Sequence, residues 1–151
     1  MIRRLTSVLP LILVSAGVLA AQSTVPLYTD LGAHARPIAT RVPAAQQYFD
    51  QGLRLTYGFN HAEAIRSYAR GAEADSTCAM CWWGVAYAYG PHVNAGMDSA
   101  SGVLAYAAVQ KALALSRGKP AWQRDYIEAL AKRYAPVPPT NRAALDSAYA
   151  S

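Results

Sequence analysis

With 151 residues, 53% of them hydrophobic, and a formal net charge of +5, the chain is long enough for a single small domain. Its basic residues are interleaved with acidic ones: Arg66 and Arg70 sit near Glu63 and Glu73, and Lys132 and Arg133 follow Asp125 and Glu128. That pattern marks solvated, salt-bridged helix faces. The clustered basic stripe that a nucleic-acid partner would need is missing.

Arg3 and Arg4 precede an apolar run from Val8 to Ala20, broken by Pro10 and Gly17 and closed by Val18-Leu19-Ala20. A basic start, an apolar stretch and a small-residue end predict a secretory signal over 1–20, cut after Ala20 or, alternatively, after Ala21. The run is short for a membrane span, so no stable anchor is expected after cleavage. Removing Arg3 and Arg4 lowers the formal charge from +5 to +3. The expected location is the periplasm or the extracellular space. Residues 21–43 carry Pro26, Gly32, Pro37 and Pro43 with no sustained period, the mark of an extended leader. Within it Tyr28-Thr29-Asp30-Leu31-Gly32 either docks on the first helix or hangs as a loose tail.

Helix one is predicted from Pro43 to Tyr57. Pro43 suits a first turn, Tyr48, Phe49, Leu53, Leu55 and Phe59 supply the apolar side, and Gly58 ends it. Asn60 then caps helix two, with Glu63 completing a capping box, and Ala64, Ile65, Tyr68 and Ala72 give helical spacing from His61 to Ala74. After the Asp75-Ser76-Thr77 turn, helix three runs from Cys78 to Tyr89 and is broken by Gly90-Pro91. A long loop, Pro91 to Asp98, leads to helix four, Ser99 to Leu115, and Asp75 and Asp98 read as helix caps. Helix five spans Ala121 to Tyr134, and Arg142 to Tyr149 begins another helix after Pro136-Val137-Pro138-Pro139. Strand-like alternation is missing, so the fold class is all-α. Residues 44–135 form the helical body, and 136–151 are a linker and the start of a further helix.

Two stretches repeat 34 residues apart: Tyr48-x-x-Gln51-Gly52-x-x-Leu55 and Trp82-x-x-Val85-Ala86-x-x-Tyr89. A period of this size with helical spacing inside each unit predicts antiparallel helix hairpins stacked as a solenoid. Such arrays present a surface, and the expected function is a binding scaffold for a protein or peptide, without catalysis. Repeat arrays need about three units plus caps. Two full units and a partial third predict that the chain is a fragment of a longer protein.

The first unit resembles a tetratricopeptide repeat: Tyr48, Gly52, Leu55, Ala64, Tyr68 and Gly71 fall on that family's aromatic, glycine, apolar, alanine, aromatic and alanine positions, with Ser76 where a closing proline is usual. The second unit matches through Trp82, Ala86 and Tyr89, then needs an insertion before Ala105, Val109 and Ala112. Cys78-Ala79-Met80-Cys81-Trp82-Trp83-Gly84, followed by Gly90-Pro91-His92-Val93-Asn94, is similar to a group of exported bacterial tetratricopeptide-repeat proteins. The resemblance covers residues 44–134. It implies a right-handed helical solenoid, and for activity it implies almost nothing.

Cys78 and Cys81 are the only cysteines. In an exported protein such a pair is expected to be oxidised or metal-bound. A local disulfide pinning helix three, a metal or cofactor site using Cys78, Cys81 and His92, and a dithiol oxidoreductase all remain open. Covalent haem would need histidine at position 82, which is Trp82. Soft donors at Cys78, Cys81, Met80 and Met97 suit Cu(I), but a helix of about a dozen residues, roughly 18 Å, separates the cysteines from His92. His34 and His61 are isolated, and no nucleophile elbow, Walker loop or paired catalytic carboxylates occur. No cofactor is expected. Trp82 and Tyr89 are read as packing between helices. Trp83 is the first candidate for a concave binding surface, with Tyr57 and Asn94 behind it.

Overall fold

The computed structural model describes residues 25–151, so the signal-sequence reading over 1–20 lies outside it. Six helices follow in order: α1 (Pro43–Tyr57), α2 (His61–Ala74), α3 (Ala79–Tyr89), α4 (Ser99–Leu115), α5 (Ala121–Ala131) and α6 (Ala143–Ala150). There is no strand among the described residues. Each helix packs on the next through α5, and the alternate helices α1, α3 and α5 also touch one another in turn. The last helix, α6, buries no residue and rests on α5.

The ends of the helices show local chemistry at work. Proline opens α1, where its missing N–H is no loss. Its other end is a Schellman turn: Phe59 N–H donates to Thr56 O at 3.1 Å and Asn60 N–H to Leu55 O at 2.9 Å. The left-handed position of that turn is Phe59, with φ 59°, rather than the expected Gly58, whose φ is −82°. Asn60 caps α2 through Glu63 N–H at 3.3 Å. The reciprocal half of the expected box is missing, because Glu63 pairs with Arg66 and accepts from the Tyr28 hydroxyl. Asp98 caps α4 by accepting from Ser101 N–H at 2.7 Å. Asp75 caps the C-terminal end of α2, its N–H donating to Gly71 O at 3.0 Å, and its carboxylate organises the turn that follows, accepting from the N–H and hydroxyl of Thr77 and the hydroxyl of Thr40. Burial pushes its carboxyl up, yet those hydrogen bonds outweigh burial and leave it below the usual range.

Expected boundaries shift at three helices, the last of which runs Ala143–Ala150 rather than from Arg142 to Tyr149. Cys78 is the cap of α3 rather than its first residue, its sulfur accepting from Cys81 N–H at 3.1 Å. Helix five stops at Ala131, three residues before Tyr134. The next three N–H groups bond one residue closer, to Ala129, Leu130 and Ala131. This tighter turn lets the Tyr134 hydroxyl donate to Ala86 O at 2.7 Å on α3.

Tyr68 sits at the centre, fully buried, with its ring between Gly52 of α1 and Gly84 of α3. A Cβ at Gly52 would lie 2.6 Å from the Tyr68 ring, and one at Gly84 closer still. Glycine at both positions is what lets three helices share one aromatic ring. Gly71 does the same for the cysteines, since a Cβ there would be 3.0 Å from Cys81 Sγ. Cys78 and Cys81 lie at disulfide distance, 2.03 Å between sulfurs, and both are in the core. Replacing both with serine closes no loop in the unfolded chain, and for so short a loop the chain-entropy estimate is a loss of about 2 kcal/mol. Urea unfolding of oxidised wild type against the double variant measures it. An unchanged midpoint would show that the cross-link contributes nothing.

Candidate functional site

The leader from Val25 to Val42 has no regular structure, yet it is not loose. Its main chain is gripped by side chains of α1. Gln51, 1% exposed, accepts from Tyr28 N–H and donates to Pro26 O, both at 2.8 Å, and also donates to Ser67 Oγ at 3.0 Å. Gln46 makes a second two-point grip, accepting from Ile38 N–H and donating to Arg36 O, both at 2.9 Å. Between them Asp50 accepts from Arg36 N–H at 2.9 Å, and Arg54 Nε donates to His34 O at 2.6 Å. Positions 46, 50 and 54 recur every four residues, so they form one stripe along α1. An amide side chain has one donor end and one acceptor end, which is what a peptide unit requires of a partner. Farther along, the Lys119 ammonium donates to Ala39 O at 3.3 Å.

Beside this stripe runs a wall of aromatic rings drawn from α1, α3 and α5. Trp83, 8% exposed, stacks on Tyr87 with centroids 5.0 Å apart and 9° between planes. It meets Tyr126 edge-on at 6.0 Å, and its indole N–H donates to Tyr126 O at 3.2 Å. Trp122 stands edge-on to Tyr126 at 5.9 Å. The guanidinium of Arg36, carried in by the leader, lies 4.5 Å from the Trp122 ring centroid and 5.1 Å from that of Tyr126. Two recesses open on this wall. The first, about 580 Å³, lies between the leader at His34 to Pro37 and the rings of Tyr57, Trp83, Trp122 and Tyr126. The second, about 430 Å³, is lined by Tyr57, Trp83, Tyr87, Asp125, Tyr126 and Tyr149, with Ala129. Tyr57, Trp83 and Tyr126 line both, so the recesses adjoin at these rings, and the pair makes up the groove.

Of the three residues expected on a binding surface, Trp83 and Tyr57 come together in this groove. Asn94 is exposed in the 91–98 loop, in the lining of neither recess, with its N–H on His92 Nδ1 at 3.3 Å. Trp82, read as packing, is only partly buried and lies under the Lys111 ammonium, 4.0 Å from the ring centroid. The cysteines are brought together, but His92 joins a different cluster. Its ring stacks on His61 at 4.2 Å, with Phe59 nearby. Among the described residues no group of three or more His, Cys, Asp or Glu side chains is placed to hold a metal ion.

Both ring nitrogens of His61 are buried without a hydrogen-bond partner among the described residues. Burial first, and the neighbouring His92 second, hold its pKa below the ordinary 6.5. An imidazole so depressed binds fewer protons in the folded than in the unfolded protein. Its contribution to stability is therefore fully present above pH 6.5 and is lost progressively as the pH falls from there through the lower folded-state pKa. Denaturant midpoints at pH 7.5 and 5.5 should differ in that direction, and the difference should shrink in His61→Asn. An equal drop in that variant would place the sensitivity elsewhere.

The groove also holds Tyr87, a candidate with Trp83 for a ligand cage that sequence reasoning assigns to packing, and Trp122 and Tyr126, which it reads only as the apolar side of helix five. Tyr87 lies one turn from Trp83, and Trp122 one turn from Tyr126, so aromatic pairs four apart were the signal for both. Nothing in the sequence marks Gln46, Asp50 and Gln51, whose partners are main-chain atoms of a segment without a pattern. Together, fold and groove define the class: an all-helical protein whose first helix holds an irregular stretch of polypeptide by its backbone. Comparison with protein-family models, curated proteins and solved structures found no match.

Proposed function

We propose that the protein is an exported, tetratricopeptide-like scaffold that holds extended peptide segments and performs no catalysis. One observation carries this reading: the chain's own leader lies on α1 in two passes joined by bends at 29–33, gripped at its backbone by Gln51 on the first pass and by Asp50 and Gln46 on the second, and at its Arg36 side chain by aromatic rings. Reading main chain through amides and side chains through pockets is how grooves hold extended ligands. The packing of each helix on the next, with α1, α3 and α5 also in contact, supports the stacked-hairpin arrangement. Export is supported by the cysteine pair at disulfide distance, since such pairs persist in oxidising compartments. No helix among the described residues is long and apolar enough to cross a membrane.

The test exploits proline, which has no N–H to donate. In the full chain, Tyr28→Pro with Ile38→Pro removes one clamped N–H from each glutamine and frees the α1 stripe. A synthetic peptide of residues 25–42 should then bind this variant in trans, read by calorimetry, and bind the parent chain at least about tenfold more weakly because its own leader competes. No binding to the variant would overturn the peptide-scaffold reading.

A further inference from the structure

The leader walls the first recess and brings Arg36 to Trp122 and Tyr126, while the second recess is lined by helix residues alone. We propose that this recess, lined by Tyr57, Trp83, Tyr87, Tyr126 and Tyr149 with Asp125, receives an arginine side chain presented by an extended peptide partner. The inference rests on the peptide-scaffold reading and names the chemistry that the second recess selects.

Three observations point to a guanidinium. First, the wall already takes one: Arg36 lies 4.5 Å from the Trp122 centroid and 5.1 Å from that of Tyr126, and Tyr126 lines the open recess too. At the opposite end the Arg133 guanidinium lies 4.8 Å from the Tyr149 centroid. The chain thus uses its own arginines on both flanks of the aromatic run, and the stretch between them is unfilled. Second, that stretch holds a carboxylate, Asp125, which is exposed and has no salt bridge among the described residues. Aromatic faces attract a cation through their quadrupoles, and a carboxylate adds a planar, bidentate match that arginine satisfies better than lysine. Third, the recess of about 430 Å³ falls in the range of small-ligand sites, roughly 300–1,000 Å³. Arg133 and Arg36 are like charges at the two flanks, so the incoming group is expected to seat between them, at Asp125.

The full-length oxidised chain is titrated with Ac-Ala-Ala-Arg-Ala-Ala-NH₂, following tryptophan fluorescence and heat. Controls replace arginine with citrulline, which keeps the shape and loses the charge, or with lysine. The arginine peptide should bind about tenfold more tightly than the citrulline peptide and more tightly than the lysine one. Asp125→Asn and Tyr57→Ala, both at exposed positions, should each weaken it about threefold. Equal binding of the citrulline or lysine peptide overturns the assignment to arginine. Undiminished binding in both variants places the arginine site elsewhere and overturns it too. If the arginine peptide fails while the 25–42 peptide still binds the Tyr28→Pro, Ile38→Pro chain, the arginine recess falls and the scaffold reading stands. If neither binds, both fall.

Discussion

Tyr68→Ala is expected to cost about 3–5 kcal/mol of folding stability, the range for losing a large aromatic side chain from a packed core. The ring is fully buried and touches α1, α2 and α3 at once, since Phe49 tilts against it at 5.7 Å and the glycines of α1 and α3 lie on it. Its hydroxyl meets Thr56 Oγ1 at 3.3 Å, which in turn donates to Gly52 O at 2.8 Å. Burial pushes the phenol pKa far up, so the hydroxyl stays a proton donor at all physiological pH. Domains of this kind are stable by about 5–15 kcal/mol in total. The variant should therefore sit near the threshold of folding. A loss below about 1 kcal/mol in urea titration would show that the ring is not the keystone its position implies.

Gly84→Ala is expected to cost about 3 kcal/mol, the upper end of what overpacking a core usually costs. The reason is the same ring, because a Cβ on α3 would overlap it and the neighbour that must move is a buried aromatic rather than a flexible chain end. On an open helix surface the same exchange would stabilise by about 1 kcal/mol through helix propensity. The two tendencies can be separated. In a Tyr68→Ala background the obstruction is gone, and Gly84→Ala should become neutral or stabilising. A double-mutant cycle reads that reversal of sign directly. Equal costs in both backgrounds would mean that Gly84 matters for backbone conformation and not for room.

The helices were legible because their signals are local. Pro43, the Asn60 cap, Gly90-Pro91 and the Asp98 cap are read from neighbouring residues, and they place the starts of α1, α2 and α4 and the end of α3 where they are found. Less visible were features that depend on distant partners. Helix five ends early because Tyr134 turns to reach α3, a contact 48 residues away. Phe59 occupies the left-handed turn position that Gly58 promised, a choice that local propensity argues against. The two adjacent tryptophans were hard to assign because α3 has no charged residue to mark its outer face. Trp83 proved the more buried of the two and still lines the groove. The grip on the leader was illegible altogether. Hydrophobic periodicity cannot report an interaction in which glutamine amides meet main-chain atoms.

That grip bears on how the protein can change over generations. Where a segment is held by its carbonyls and amides its side chains carry little of the contact, so much of residues 25–42 is free to drift while staying docked, provided proline avoids positions 28, 36 and 38. Constancy should instead collect on the holder, at Gln46, Asp50 and Gln51. The exceptions within the leader are Arg36, whose side chain reaches the aromatic wall, Ile38, which is buried in the core, and Tyr28 and Thr40, whose hydroxyls reach Glu63 and Asp75. Among descendants of this chain, the docked strand would become unrecognisable as sequence long before it changed as structure.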